Sequence, residues 1–327
     1  MKYREYRYQS SLGRYIEAHI REKQLQGFIY HSEEYILKTF DLFCYGLGLA
    51  EPVITRELLM QWSTIRETEG KVYAAKRVSA VRQLALYMQS QGLEAYVPAN
   101  FSQKSSYIAH ILTDKETMEL FSIIDTYHPK IAGKAFIRLS TEYKVLFRLI
   151  YCCGLRVSEA RKLLVTDVDL TEGTLSIKQS KGRKDRLVYL ATDLLELCAE
   201  YHGLMRNEYQ TFSEWFFPAR DPAHTLSVGT IGYKFRQFWN QTSFAKDTIH
   251  PPTVHSLRYG FVVKRMNLWM KEGLSLQSMM PYLSKYLGHS SPEGTFYYYH
   301  QVEEAFNIIR ERDTCAEKII PEVSPDD

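Results

Sequence analysis

Through the first 95 residues, hydrophobic positions recur at spacings of three and four, which predicts amphipathic helices. Two such segments are SLGRYIEAHIREKQ and EEYILKTFDLFCYGLGL, and a third, clearer helix is predicted over residues 71–93. The apolar face of this third helix is formed by Val78, Val81, Ala85 and Met88. Gly92 suits a helix end, because glycine readily adopts a positive φ. The pattern therefore predicts a helical domain over residues 1–98.

After a polar stretch, which we take as a linker over residues 99–110, a second domain is predicted. Thr113 and Glu116 have the spacing of a capping box, so a helix should begin there. EYKVLFRLIYCC is apolar almost all round, as in a buried helix. TLSIKQS and RLVYL alternate in polarity around KGRKD, which predicts a β-hairpin with a basic tip. We expect a mainly α-helical chain with a small antiparallel β-sheet, a mixed α/β domain over residues 111–300, and a helix and acidic tail over residues 301–327.

The amino-acid composition places few further constraints on the class of protein. The chain has 327 residues, enough for two cores, and its 45% hydrophobic and 24% charged residues are ordinary for a globular protein. No apolar run approaches the ~20 residues of a membrane span, and the basic start MKYREYRYQSS lacks the apolar core of a secretory signal. The five cysteines show no CxxC spacing, so we expect reduced thiols in the cytoplasm and no metal site.

Charge is distributed unevenly along the chain. The formal net charge is +3, but residues 301–327 hold three basic and eight acidic side chains, so the preceding residues carry +8. A basic body is compatible with DNA binding, because neutralising phosphates supplies much of the affinity for DNA. Many unrelated proteins are equally basic, so the charge alone assigns no function.

Five short motifs hold side chains that suit phosphate chemistry. In chain order they are Arg156 with Glu159 in GLRVSE, Lys181 in the hairpin tip, His255 with Arg258 in HSLR, Gly288 with His289, and the run of three tyrosines in YLGHSSPEGTFYYYH. Each motif alone is more often structural. An arginine at a helix boundary is usually a surface or cap residue, a tip lysine is usually solvated, and histidine and arginine at i and i+3 on a helix are common neighbours.

The order and spacing of these motifs resemble those of the tyrosine site-specific recombinases, the phage integrase family. GLRVSEARKLLVTDVDL, SKGRKDRLVYL, HSLRYGFVV and YLGHSS match family signatures, and AAKRVSAVRQLALYMQSQGL resembles the last helices of the family's N-terminal DNA-binding module. The resemblance covers nearly the whole chain. It implies a helical core-binding (SAM-like) domain and a mixed α/β catalytic domain. It also implies a recombinase of a mobile genetic element that cuts and rejoins duplex DNA as a homotetramer, with no metal and no cofactor.

The chemistry of that family explains the residue types. A tyrosine nucleophile keeps the phosphate as an ester, but with a pKa near ~10 it needs a proton acceptor and stabilisation of the phosphate charge. The resemblance assigns the phosphate to Arg156 and Arg258, because guanidiniums offer paired donors and stay ionised. It assigns the tyrosine proton to His255, a phosphate hydrogen bond to His289, and protonation of the leaving 5′-oxygen to Lys181.

The remaining positions of the family pattern include an acidic residue, the nucleophile and two differences from other members of the family. Glu159 occupies the acidic position and would orient its neighbours rather than react. The spacing from the Gly-His pair places the nucleophile at Tyr298, although a shift of one residue would give the role to Tyr297 or Tyr299. The residue after the second arginine is Tyr259, where many members have histidine, and the segment EGLSLQSMMPYLSKY is longer than in compact members. We do not expect Tyr259 to disable the site, whereas the longer segment is expected to alter the approach of the helix that carries the nucleophile.

Further cations are expected to contact DNA. In the helix over residues 71–93, Lys76, Arg77 and Arg82 are predicted to lie off the apolar face, where they form either a solvated surface or phosphate contacts. Phosphate contacts there would let the two domains form a clamp around duplex DNA. Lys184, in the hairpin tip, is expected to be a phosphate contact.

Three further expectations concern the tail and the alternative functions. Val302, Ala305, Phe306 and Ile309 form an apolar stripe that either packs on its own domain or, as the resemblance favours, docks on a neighbouring protomer. One alternative function is a type IB topoisomerase, which uses a similar set of residues but exchanges no strands. The other is a catalytically silent DNA-binding protein of the same fold, which the presence of every catalytic residue type argues against.

Overall fold

The computed structural model describes residues 6–99, 110–131, 133–178 and 185–289. The chain divides into two compact units, Met1–Tyr107 and Ile108–Asp327. Helices dominate the described residues, and the strands among them form a three-stranded antiparallel sheet in the second unit. The predicted fold class, mainly α with a small antiparallel sheet, is confirmed. Within the described ranges, no helix is long and apolar enough to cross a membrane.

The first unit is built around the packing of four helices. They are α1 Gly13–Leu25, α2 His31–Gly46, α3 Arg56–Ser63 and α4 Lys71–Ser90. Their apolar faces meet in one core, in which Phe40 and Phe43 pack on the ring of Trp62 at centroid distances of 5.0 and 5.3 Å. Helix α4 ends at Ser90 rather than at residue 93, and the chain turns at Gly92, whose φ is +78°.

Arg77 lies on the buried face of α4, so the prediction that it lies off that face is wrong. Its side chain is 1% exposed, donates to the backbone oxygens of Trp62 (2.7 Å) and Thr64 (3.2 Å), and forms a two-point ion pair with Glu69. The guanidinium also lies 4.5 Å from the centroid of the Trp62 ring. The cause is helical geometry, because position 77 is one turn before the buried Val81. Arg77 therefore anchors the loop before α4 and is not available to a DNA phosphate.

The other two cations predicted on α4 differ in their surroundings. Lys76 is exposed to solvent, as expected of a side chain off the apolar face. Arg82 is half-buried, and its Nε donates to the backbone oxygen of Pro98 at 3.0 Å. Both side chains thus remain candidates for contact with a ligand, and the exposed lysine is the more accessible of the two.

Seven helices and three short strands form the described part of the second unit. The helices are α5 Asp114–Asp125, α6 Lys134–Cys153, α7 Val157–Arg161, α8 Thr192–Asn207, α9 Val228–Trp239, α10 Val254–Lys271 and α11 Leu276–Leu287, and two 3-10 turns lie at Val165–Asp167 and Ser243–Lys246. The strands are β1 Val168–Asp169, β2 Thr174–Ile177 and β3 Arg186–Tyr189. Strands β2 and β3 pair antiparallel, from Thr174 opposite Tyr189 to Ile177 opposite Arg186, as the predicted hairpin requires.

The boundaries of two helices follow from local sequence. The capping box before α5 is confirmed, since Glu116 Oε2 accepts the backbone N–H of Thr113 (2.7 Å) and Thr113 Oγ1 accepts that of Glu116 (3.3 Å). Helix α6 includes the apolar segment over residues 142–153 but begins earlier, at Lys134. Most of its last three turns are buried, because α6 packs against both α8 and α10.

The C-terminal ends of α6 and α11 both lie against α10. Each helix is followed by a glycine with positive φ, Gly154 (+61°) and Gly288 (+66°). A Cβ at Gly154 would lie 2.5 Å from the ring of Phe261 on α10, so only glycine lets this helix end approach so closely. An apolar cluster that includes Val262 and Leu287 joins α10 to α11. The packing brings two helix ends to one place on the surface of α10.

Candidate active site

The carboxylate of Glu159 lies at the centre of a cluster of predicted site residues. Arg156 immediately precedes α7, and Glu159 occupies the third position of that helix, where an acidic side chain can accept the unpaired N–H groups of the first turn. The Arg156 backbone N–H donates to Glu159 Oε2 at 2.8 Å, and Arg156 Nη1 donates to Oε1 at 2.7 Å. Glu159 therefore contacts both the backbone and the side chain of Arg156.

Arg186, at the start of β3, reaches the same carboxylate from a distant part of the chain. Its Nη1 donates to Glu159 Oε1 at 3.0 Å and its Nη2 to Oε2 at 2.7 Å, a two-point pairing. This arginine is absent from the site residues predicted from the sequence. The signal that could have found it is strand alternation, because Arg186 shares a face of β3 with the buried Val188.

Arg258 is held mainly by backbone oxygens. Its side chain is 1% exposed, and its Nη1 donates to the oxygen of Gly154 at 2.6 Å while its Nη2 donates to that of Leu287 at 2.9 Å. Its Nη1 also lies 3.8 Å from Glu159 Oε2. The two helix ends described above therefore fix this guanidinium, and Arg156 Nη2 makes a longer contact with the oxygen of Gly288 at 3.3 Å.

His289 follows α11 and contacts Arg258 directly. Its backbone N–H donates to the oxygen of Ser284 at 2.9 Å, and its Nε2 lies 2.9 Å from Arg258 Nη2. A guanidinium can only donate, so Nε2 must be the acceptor and the ring must be neutral, with its proton on Nδ1. Burial, and then the charges of Arg258 and Arg156, lower the pKa of His289 to about 4.

His255 lies in the first turn of α10, one turn before Arg258. Its half-buried ring packs against that of Tyr259 at a centroid distance of 4.5 Å and an interplanar angle of 75°. Burial, followed by the charges of Arg258 and Arg156, lowers the pKa of His255 to about 4. In the protein without a ligand, both histidines of the cluster are therefore neutral at pH 7.

The cluster carries more positive than negative charge. Burial alone would raise the pKa of Glu159, but the hydrogen bonds and charge of Arg186, together with hydrogen bonds from Arg156, lower it to about 2. The carboxylate is thus ionised, and three guanidiniums surround it, Arg258 included. Two neutral imidazoles complete the group. Such an excess of fixed donors suits a bound anion with several oxygens, such as a phosphodiester.

The structure brings together five of the predicted site residues, Arg156, Glu159, His255, Arg258 and His289. Lys181, Lys184, Tyr298 and the neighbouring Tyr297 and Tyr299 lie outside the described residues. The longer segment before the Gly-His pair forms α11, whose end supplies the backbone oxygens that two of the arginines contact. Across the described ranges, no cluster of three or more histidine, cysteine or acidic side chains has the arrangement of a metal site.

Sequence and structure comparisons agree with this fold. The sequence profile of the phage integrase family matches residues 111–305, and the chain belongs to that family. The tyrosine recombinase XerC of Oceanobacillus iheyensis is 24% identical over 269 residues, which cover 79% of this chain and 80% of XerC. The resemblance to tyrosine site-specific recombinases drawn from the motifs is confirmed.

Two solved structures have a similar fold. The XerH site-specific recombinase bound to palindromic difH substrate superposes with a TM-score of 0.64 at 19% identity, over 92% of this chain and 84% of XerH. A lambda integrase dimer bound to a COC′ core site gives a TM-score of 0.62 at 16% identity, over 89% of this chain and 95% of that chain. These likenesses establish the fold of the chain.

Proposed function

We propose that this protein is a site-specific recombinase that cuts and rejoins DNA strands through a covalent link between a DNA 3′-phosphate and Tyr298. Membership of the phage integrase family supports site-specific recombination of DNA. The observation that carries the proposal is the arrangement around Glu159, where Arg156 and Arg258 surround one carboxylate together with a third guanidinium. A phosphodiester in the transition state of its cleavage needs such an excess of positive charge.

The scissile phosphate would bind to Arg156 and Arg258. Both guanidiniums are held before the ligand arrives, one by Glu159 and the other by the backbone oxygens of Gly154 and Leu287. This order matters, because donors that are already fixed cost no reorganisation when negative charge develops on the phosphate. His289 would donate a further hydrogen bond to a phosphate oxygen, while Arg258 contacts its Nε2.

The covalent step exchanges one phosphoester for another. The Tyr298 oxygen forms a bond to phosphorus while the bond between phosphorus and the 5′-oxygen breaks, and the phosphodiester energy is kept in the tyrosyl ester. His255 takes the tyrosine proton, and the Lys181 ammonium gives a proton to the leaving 5′-oxygen. Bound phosphate adds negative charge beside His255, which raises its pKa from about 4 and makes it a better acceptor. A 5′-hydroxyl from a second strand reverses the steps and completes the exchange.

The remaining parts of the proposal concern domains and partners. Residues 1–98 would form a core-binding domain and residues 111–300 the catalytic domain, joined by a linker at 99–110. Lys76 and Arg82 would contact phosphates of duplex DNA. Recombination joins two sites, each bound by two protomers, so the active species would be a homotetramer in the cytoplasm, without metal or cofactor.

The test is to trap the covalent adduct. Purified full-length chain is incubated with nicked duplexes taken from the DNA that flanks its gene, since cleavage next to a nick releases a short strand that cannot rejoin. We expect a denaturation-resistant protein–DNA adduct, which Tyr298→Phe abolishes. Tyr297→Phe and Tyr299→Phe are matched controls that keep the adduct. Failure of the unaltered chain to form any adduct would point to a silent DNA-binding protein.

A second assay separates recombination from topoisomerase activity. A supercoiled plasmid that carries two copies of the cleaved site is incubated with the protein, and the products are digested and sized. We expect products with exchanged flanks. Relaxed plasmid with unexchanged flanks would instead assign the chain to the type IB topoisomerases, whose strand cleavage uses a similar set of residues.

A further inference from the structure

We propose that Arg186 is a positioning residue of this site, which fixes Arg156 through Glu159 and ties the base of the β2–β3 hairpin to α7. The inference rests on the proposed function, because the hairpin carries Lys181. Arg186 lies 27 positions from Glu159 in the chain and belongs to a different element. Neither the motif GLRVSE nor the hairpin tip includes it.

The first reason is the way in which Glu159 is shared. Oε1 accepts from Nη1 of both Arg156 and Arg186, while Oε2 accepts from the Arg156 backbone N–H and from Arg186 Nη2. The position of the Arg156 guanidinium thus depends on the plane of the carboxylate. The two parallel hydrogen bonds from Arg186 help to fix that plane from the side opposite the chain of α7, because a two-point pairing fixes orientation as well as distance.

The second reason is burial at the end of α11. The Arg186 side chain is 8% exposed, and a Cβ on Gly288 would lie 3.1 Å from Arg186 Nη1 and 3.6 Å from Arg156 Nη1. The backbone that leads to His289 therefore passes directly over both guanidiniums. Arg186 is enclosed between α7 and this backbone, so it has little freedom to move when a ligand binds. A side chain fixed in this way can hold the groups that it contacts in a constant position.

The third reason is the place of Arg186 in the hairpin. It pairs with Ile177 in the register nearest the tip, and Lys181 lies between these two positions in the sequence. The ion pair with Glu159 therefore fastens the end of β3 to the helix that presents Arg156. Through this contact, the base of the segment that carries Lys181 is held at a set distance from the phosphate-binding arginines.

Arg186 also shares the compensation of the Glu159 charge with Arg156. Without it, Glu159 would have only Arg156 as a close partner, and the charge of that pair would largely cancel. With Arg186 present, two guanidiniums pair closely with the carboxylate. Arg258 Nη1 lies 3.8 Å from Glu159 Oε2, beyond a direct hydrogen bond. The Nε of Arg186 is buried and has no hydrogen-bond partner among the described residues, so the side chain is held through its two Nη groups.

The test compares Arg186→Lys with the parent chain. Lysine keeps the charge but cannot make two parallel hydrogen bonds. We expect single-turnover adduct formation to slow by on the order of 10- to 100-fold, the usual effect of removing a charge-assisted hydrogen bond. The dissociation constant for duplex DNA should stay within about twofold, and the thermal midpoint should show that the variant is folded. Lys178→Ala removes another ion-paired cation beside the same hairpin, paired with Asp167 at 2.6 Å, and should leave adduct formation unchanged.

Two further measurements distinguish positioning from a general loss of structure. A duplex with sulfur in place of the bridging 5′-oxygen should restore part of the rate of Arg186→Lys, because a thiolate leaves without the proton that a displaced Lys181 supplies poorly. In the free protein, the side-chain NMR signals of Arg156 should broaden or shift in Arg186→Lys. Unchanged Arg156 signals would overturn the proposal whether or not the protein cleaves DNA.

The remaining outcomes are equally decisive. If Arg186→Lys forms the adduct at the parent rate, Arg186 has no positioning role. If DNA affinity and thermal stability decrease together with the rate of adduct formation, Arg186 has only a structural role. If the unaltered chain forms no adduct, the proposed function fails, and the Arg156 signals still decide whether Arg186 orders that guanidinium.

Discussion

Arg258 and His289 form a contact in which the arginine donates to the histidine, with 2.9 Å between Nη2 and Nε2. The contact excludes a protonated His289, because an imidazolium has no acceptor nitrogen and would face a second cation. The charges of Arg156 and Arg186 also lower the pKa of His289, and among the nearby charges only that of Glu159 raises it. The arginine that would bind the substrate thus also sets the tautomer of the neighbouring histidine.

We predict that His289 and His255 stay neutral down to about pH 4 in the free protein. Because both values lie below the ordinary 6.5, the unfolded chain binds more protons, so the free energy of unfolding should fall as the pH drops from 6.5 towards 4. Side-chain NMR titration measures each ring, and His289→Asn should flatten the pH dependence of unfolding. His19 also has a pKa lowered to about 4, mainly by burial, so the rings must be resolved individually. Titration of His289 near pH 6.5 would contradict the geometry.

Arg77 and Lys76 are adjacent in sequence but should behave oppositely. Arg77→Ala leaves the carboxylate of Glu69 buried without its partner, which typically costs about 3–5 kcal/mol of folding free energy. Lys76→Ala, at an exposed position, should change stability by less than about 0.5 kcal/mol. Chemical unfolding of the two variants measures both values. Equal effects would mean that the buried ion pair contributes nothing.

Two cations of α4, Lys76 and Arg82, can be tested through salt dependence. Replacing Lys76 and Arg82 together with glutamine should weaken DNA binding and reduce the slope of log affinity against log salt by about 0.9 for each phosphate that the variant no longer neutralises. The measurement is a binding titration at several salt concentrations. A slope equal to that of the parent chain would show that α4 does not meet DNA phosphates.

Lys181 and Lys184 should differ in mechanism. Lys181→Ala should slow adduct formation far more than it weakens DNA binding, because the leaving 5′-oxygen would lack its proton donor. A substrate with a bridging sulfur at that position should restore cleavage, since a thiolate leaves without protonation. Lys184→Ala should lower DNA affinity modestly and show no rescue. The reverse pattern would make Lys184 the acid.

Removal of residues 301–327 tests the role of the tail. We expect the truncated chain to bind a single site with the parent affinity but to be defective in synapsis of two sites and in strand exchange. The reason is the apolar stripe that includes Phe306 and Ile309, which we propose docks on a neighbouring protomer. Gel-shift assays separate single-site complexes from synaptic ones. Normal recombination by the truncated chain would rule out docking.

Local patterns in the sequence are sufficient to predict much of this molecule. The capping box of Thr113 and Glu116 marks the start of a helix, because its hydrogen bonds join residues three apart. The pairs Arg156–Glu159 and His255–Arg258 are visible for the same reason. In each case the partners belong to one helical turn, so spacing alone brings them together.

Other contacts depend on tertiary packing and cannot be derived in this way. Arg186 meets Glu159 across 27 positions, and the backbone oxygens that hold Arg258 are 104 and 29 positions away. The sequence pattern misplaces Arg77 because a charged side chain is expected to face solvent, whereas Glu69 and two backbone oxygens compensate it inside the core. Buried cations of this kind are recognised only when their partners are known.

The two backbone oxygens that hold Arg258 also bear on how the protein is made. Synthesis proceeds from the N-terminus, so Gly154 and α10 are synthesised before Leu287 and His289. Until α11 folds against α10, the Arg258 guanidinium lacks the Leu287 oxygen as an acceptor, and the proposed phosphate site lacks His289. We therefore expect an unfinished polypeptide that ends before α11 to be inactive in strand cleavage, because it cannot hold a DNA phosphate in the geometry that cleavage needs.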